Sequence, residues 1–209
     1  MLKIVSYSIV ITGFFASSAI LARGGEGEGE SRAGRATRGT AGWFVTESGE
    51  NEIKALLGSG RLKESSVTGL SVRLTSAATS EVILSTSEGQ INDTCEMVDH
   101  SSRSGTLIKK EVFCGNSPYY APEIEPSRGS SAWIAVDSME HAMRAEIAKN
   151  PAVEANFVSG ESLLAQDGKS ATVQLSLADE TSISYLCTLF MSSSRGGTVM
   201  KPDLRCVAQ

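Results

Sequence analysis

Four cysteines in two equally spaced pairs constrain this chain more than any other feature. Cys95 and Cys114 lie 19 positions apart, and so do Cys187 and Cys206. The segments they bound, CEMVDHSSRSGTLIKKEVFC and CTLFMSSSRGGTVMKPDLRC, agree at eight of twenty positions without a gap. Average residue usage gives roughly one or two such matches. The likeness continues upstream. WFVTESGENEIKA from Trp43 lies over WIAVDSMEHAMRA from Trp133, and SGRLKESSVTGLSVRL from Ser59 over SGESLLAQDGKSATVQL from Ser159 with one gap. A tandem duplication follows, with one module at 43–114 and a second at 133–209.

Each module reads as a short first strand at its tryptophan, one helix, then about four antiparallel strands. Ile53, Leu56 and Leu57 form a helical stripe stopped by Gly58. Met139, Ala142, Met143 and Ile147 form its counterpart, which Asn150-Pro151 ends. Alternating runs at 70–74, 81–84, 173–177 and 183–187 read as strands with one buried face. The expected fold class is α+β, with a helix packed on an antiparallel sheet in each module.

The cysteine segments fold about their midpoints into hairpins, which sets Cys95 opposite Cys114 and Cys187 opposite Cys206. A two-residue loop would place Pro202 at a hydrogen-bonded pair, where it has no N–H to give. A four-residue loop, 195–198, moves Pro202 and the cysteines to non-hydrogen-bonded pairs, where Cα atoms are closer. The second arrangement is expected, with two disulfides that each contribute roughly 3 kcal/mol in the chain-entropy model. A zinc site is the rival reading, but neither a C-x₂-C pair nor a nearby histidine supports it.

The flanking segments say where the chain works. Residues 1–22 (MLKIVSYSIVITGFFASSAILA) have the order of a secretory signal peptide: one lysine, an apolar run, then small residues. Residues 23–42 hold seven glycines, four arginines and three glutamates, and read as a disordered tether. Residues 115–132 read as a proline-containing linker carrying Tyr119 and Tyr120. An even cysteine count and an export signal point to the periplasm or the extracellular space. No membrane span is expected in the mature chain. Asn92-Asp93-Thr94 fits a glycosylation sequon in a host that glycosylates exported proteins.

The chemistry is less legible. A formal charge of −5 and a pI near 5.2 argue against nucleic acid as the partner. No G-x-S-x-G or H-E-x-x-H motif occurs. Residues 160–170 end like a phosphate-binding loop, but the spacing is wrong and Asp167-Gly168 reads as a hairpin turn. The expectation is therefore a non-catalytic protein without cofactor or metal. The repeated tips, SSRSGT from Ser101 and SSRGGT from Ser193, carry arginines that no turn requires. Arg103 and Arg195, with Ser102, Ser194, Tyr119 and Tyr120, are the candidate residues for binding a protein partner, enzyme inhibition being one form of it. An envelope assembly factor acting by self-association is the alternative, and a hydrolase without a familiar motif comes third. In plan alone, tandem α+β modules with one bridge each resemble secreted inhibitors of extracellular enzymes. No residue motif accompanies the likeness, so it assigns no site.

Overall fold

Both tryptophan segments start helices, not strands. Thr40 and Ser130 stand in extended backbone, and their side-chain oxygens accept from the Trp43 and Trp133 N–H groups. Each satisfies a first-turn donor that the helix itself cannot. Helix α1 therefore runs Ala41–Gly58 and α2 runs Ser131–Lys149. Phe44 and Val45, like Ile134 and Ala135, extend the apolar stripes one turn further back than their sequence suggests. The computed structural model describes residues 36–115, 124–193 and 200–209. The expected signal peptide, most of the expected tether, Tyr119, Tyr120, Ser194 and Arg195 lie outside the described residues.

After α1 come a short 3-10 helix (Glu64–Ser66) and strands β1 (Val67–Leu74), β2 (Thr79–Thr86), β3 (Gly89–Ser101) and β4 (Leu107–Cys114). After α2 come a 3-10 helix (Pro151–Asn156) and β5 (Phe157–Leu164), β6 (Ser170–Leu177), β7 (Ser182–Ser193) and β8 (Met200–Ala208). The order of elements occurs twice, and all eight strands join one antiparallel sheet in the order β4-β3-β2-β1-β5-β6-β7-β8. The architecture is mainly this sheet, more sheet-rich than an α+β plan of helix-on-sheet modules expects.

The segments 43–114 and 133–209 meet where β1 pairs β5, Ser71 facing Glu161 and Val72 facing Gly160. Ser159-Gly160 lies inside β5, whereas Ser59-Gly60 follows α1. The gapped overlay of these two dipeptides therefore does not hold in three dimensions. A glycine at 160 has a local reason: a Cβ there would meet Met139 Sδ at 2.8 Å.

Both helices pack on one face of the sheet; a small cluster of Ile134, Ala171 and Leu204 lies apart, and the main core, continuous across both halves, lies between the layers. Leu70, Val72, Val82, Leu84, Val173 and Leu175 supply it from the strands, and Phe44, Ile53, Leu56, Met139 and Met143 from the helices. Each such side chain contributes roughly 1.5–3 kcal/mol by leaving water. Tyr185 on β7 donates to Glu146 Oε2 of α2 at 2.6 Å and accepts from Lys149 Nζ at 2.7 Å.

Pieces of the expected tether and linker are ordered by contacts across the fold. Thr37 N–H and the Thr40 hydroxyl donate to the Glu154 carboxylate. Ser127 donates from N and Oγ to Glu64 at 3.1 and 3.0 Å. Each segment preceding a helix is thus tied to the 3-10 helix that follows the other one.

One buried polar pair tests the packing of α1 on β2. Ser80 Oγ donates to Ser48 Oγ at 2.8 Å, and both residues are fully buried. Ser80→Ala strands the Ser48 hydroxyl and should cost about 1–3 kcal/mol. The double variant Ser48→Ala/Ser80→Ala removes both partners, so urea unfolding should show it destabilised less than the single change.

Candidate functional site

The sheet positions its two hairpins by letting their strands outrun their neighbours. β3 has 13 residues against 8 in β2, so residues 97–101 extend past Thr79. Likewise β7 pairs with β6 only as far as Thr188, and residues 189–193 run on. The two overhangs follow the C-terminal ends of β1 and β5. Because β1 and β5 are antiparallel, the hairpins leave the sheet at opposite ends and at opposite edges. Eight strands spaced about 4.8 Å apart place those edges about 34 Å from one another.

A disulfide joins the two strands of each hairpin at its base, Cys95–Cys114 across β3 and β4 and Cys187–Cys206 across β7 and β8, each with a Cα separation of 4.0 Å. Gly115 N–H donates to Thr94 O and Gln209 N–H to Ser184 O. By alternation both cystines and the Met191↔Pro202 pair then fall at non-hydrogen-bonded positions. Pro202 therefore leaves no acceptor unmet, as the sequence spacing anticipates.

The first tip departs from mirror symmetry. A bulge between His100 and Ser101 shifts the register so that Ser101 faces Leu107. Ser102 N–H donates to Thr106 O at 2.8 Å, and Gly105 N–H to Ser102 O at 2.9 Å. Gly105 adopts φ 81°, which glycine takes without strain. Ser102 Oγ accepts from Thr106 N at 3.1 Å and bonds Ser104 Oγ at 2.7 Å. The serines and the threonine thus build the turn, and Arg103 projects into solvent with no counter-ion among the described residues. Below it Asp99 pairs Lys110 at 2.7 Å, while Glu111 takes both Lys109 and His100. The hydrogen bond from Lys109 holds the Glu111 carboxyl below its usual value. The loop expected at 195–198 lies outside the described residues, as do Arg195 and Ser194.

Helix packing creates a second feature that sequence reading missed. A cleft of about 360 Å³ lies between α1 and α2, walled by Trp43, Glu47, Glu50, Glu140, Met143 and Arg144. Glu140 pairs Arg144 at 2.6 Å, and Glu50 pairs Lys54 at 2.7 Å. Burial, and then Glu50, push the Glu47 carboxyl above its ordinary value, against Lys54 and Arg38. The Arg38 guanidinium sits 5.9 Å from the Trp43 ring centroid. Such a cleft can hold a small cationic group by its carboxylates and its ring. No composition signal could reveal it, because Glu47 and Glu140 stand far apart in sequence and meet through the two helices.

A third constellation sits in the core. Glu52 is 2 % exposed, and its Oε1 has no hydrogen-bond partner among the described residues. The donor atoms of Glu52, Cys95 and Cys114 all lie within 4.8 Å of one another. These are the residues best placed to hold a metal ion, although as a disulfide the sulfurs are not thiolate ligands. Burial, and then the charge of Asp93, raise the Glu52 carboxyl from 4.5 to about 7. Elsewhere Asp167-Gly168 makes the β5–β6 turn, with Lys169 N–H donating to Asp167 Oδ1 at 2.9 Å. The phosphate-loop likeness is thus a hairpin. Trp43 and Trp133 are buried or half-buried, as anchors of the helix starts.

The Glu52 carboxyl makes stability depend on pH. The folded chain keeps a proton that the unfolded chain releases above pH 4.5, so stability falls as pH rises from there to about 7 and then levels. Glu52→Gln should abolish this decline, which amounts to about 3 kcal/mol, as read from urea midpoints across that range. Comparison with family models, with curated proteins and with solved structures finds no match to this chain.

Proposed function

We propose that this is an exported, non-catalytic binding protein whose two segments are copies of one module and whose hairpins engage a protein partner. The observation that carries the reading is the braced tip: a disulfide clamps each hairpin at its base, and Arg103 stands exposed on a turn built by its own hydroxyls. An arginine held this way loses little freedom on entering an acidic pocket, which favours tight binding. Two disulfides suit an oxidising compartment. Among the described residues no helix is long and apolar enough to cross a membrane. With hairpins at opposite corners, one chain would present them to two sites rather than to one pocket. Enzyme inhibition is one outcome such binding could have.

A specific observation favours self-association as the second reading. On the sheet face away from the helices, Leu163, Thr172, Leu186 and Val207 form one cross-strand row, and its three apolar members are exposed. The corresponding row of the first half is Arg73, Glu81 and Thr94. The strands β4 and β8 also end the sheet as edges.

The two readings separate cleanly. Arg103→Ala with Arg195→Ala should abolish capture of a stoichiometric partner from the host's exported fraction, while stability changes by less than about 0.5 kcal/mol. Undiminished capture would remove the tips from the function. Self-association predicts mass rising with concentration in light scattering and falling back to monomer in Leu186→Lys; a monomer at every concentration in the unmodified chain would end that reading.

A further inference from the structure

We propose that the Cys95–Cys114 site is a latent metal site: once reduced, its two thiolates and the Glu52 carboxylate bind one zinc-class divalent ion inside the first half of the fold. The proposal does not rest on the tip-binding reading. Its first support is the carboxylate itself. A buried oxygen without a partner is costly and calls for a reason. Glu52 Oε1 is such an oxygen among the described residues, and the same carboxylate has an oxygen within 4.8 Å of both cystine sulfurs.

The donor set suits the ion. Zinc takes cysteine sulfur at about 2.3 Å and carboxylate oxygen at about 2.0–2.2 Å in a tetrahedron, so two bound sulfurs stand about 3.8 Å apart. All three donors already lie within 4.8 Å of one another. The Ser48 carbonyl oxygen points at the same place, 3.7 Å from Cys95 Sγ and 3.3 Å from Cys114 Sγ. A carbonyl dipole disfavours bare thiolates there and favours a cation among them.

The second half supplies an internal control. Ser138 O stands 3.6 and 3.8 Å from the sulfurs of Cys187 and Cys206, matching Ser48. Four residues on, where α1 carries Glu52, α2 carries the fully buried Ala142. The two disulfides are alike in setting, and among the described residues the first alone has a carboxylate grouped with its sulfurs.

The chemistry balances in two steps. A dithiol or phosphine reductant gives two electrons to the S–S bond, which takes up two protons and becomes two thiols. The dithiol leaves as a cyclic disulfide, and the phosphine leaves as its oxide with an oxygen from water. The ion then displaces both thiol protons, and any proton on Glu52, so binding strengthens as pH rises.

The test uses the full chain reduced with a phosphine and titrated with Co(II), whose thiolate charge-transfer absorption reports sulfur ligation. One Co(II) per chain is expected, displaced by Zn(II), retained in Cys187→Ser/Cys206→Ser and lost in Cys95→Ser. Glu52→Ala should weaken binding by more than about tenfold. Absent absorption, equal binding at both cysteine pairs, or unchanged affinity in Glu52→Ala would each overturn the proposal. If reduction unfolds the chain, Zn(II) should restore its circular dichroism in the unmodified chain and not in Glu52→Ala; failure to refold it also overturns the site.

Discussion

The pairing of β1 with β5 is the contact on which the rest of the architecture depends. Without it Val67–Leu74 and Phe157–Leu164 would each be a bare sheet edge flanking half a core. A row of unpaired backbone groups beside Leu70, Val72 and Phe157 would be both costly and sticky. Pairing converts two four-stranded sheets into one of eight and lets the main core run beneath both helices. The reciprocal ties of Thr37 to Glu154 and Ser127 to Glu64 close the same junction from outside.

That junction also decides where function can sit. Antiparallel pairing about Ser71 and Glu161 sends the two hairpins to opposite corners. It brings α1 and α2 side by side, so that glutamates from both halves meet in one cleft. Among the described residues it leaves one face of the sheet without helices, where the outward rows differ in chemistry. None of these is a property of one half alone.

The two halves have the same order of elements and differ at particular positions. The cystines occupy the same kind of non-hydrogen-bonded site and face the same helix carbonyls, Ser48 and Ser138. The buried hydroxyls do not match: Ser48 has Ser80 as partner, whereas Ser138 Oγ has none among the described residues. Glu52 answers to Ala142, and the charged row through Arg73 and Glu81 answers to the apolar row through Leu163 and Leu186. Backbone hydrogen bonds and close packing hold the common parts in place, while solvent-facing and cavity-facing positions are free to take separate tasks.

By itself the sequence determined what depends on neighbours near in the chain. Cysteine spacing and one proline were enough to place both disulfides and their pairing class, because hairpin register is set locally. Alternation at 70–74 and 173–177 was enough to place buried strand faces, because side chains alternate with period two. The helix starts were harder to read: Trp43 and Trp133 suit a strand by propensity, and the Thr40 and Ser130 caps together with burial overrode that preference. Tertiary structure alone decided that one sheet is shared, that Glu47 lies near Glu140, and that Glu52 lies beside a cystine 43 positions further on. Each of these follows from which strand edges pair and how helices settle on them. That choice is made by the sum of burial over the whole fold, and no local pattern of residues encodes it.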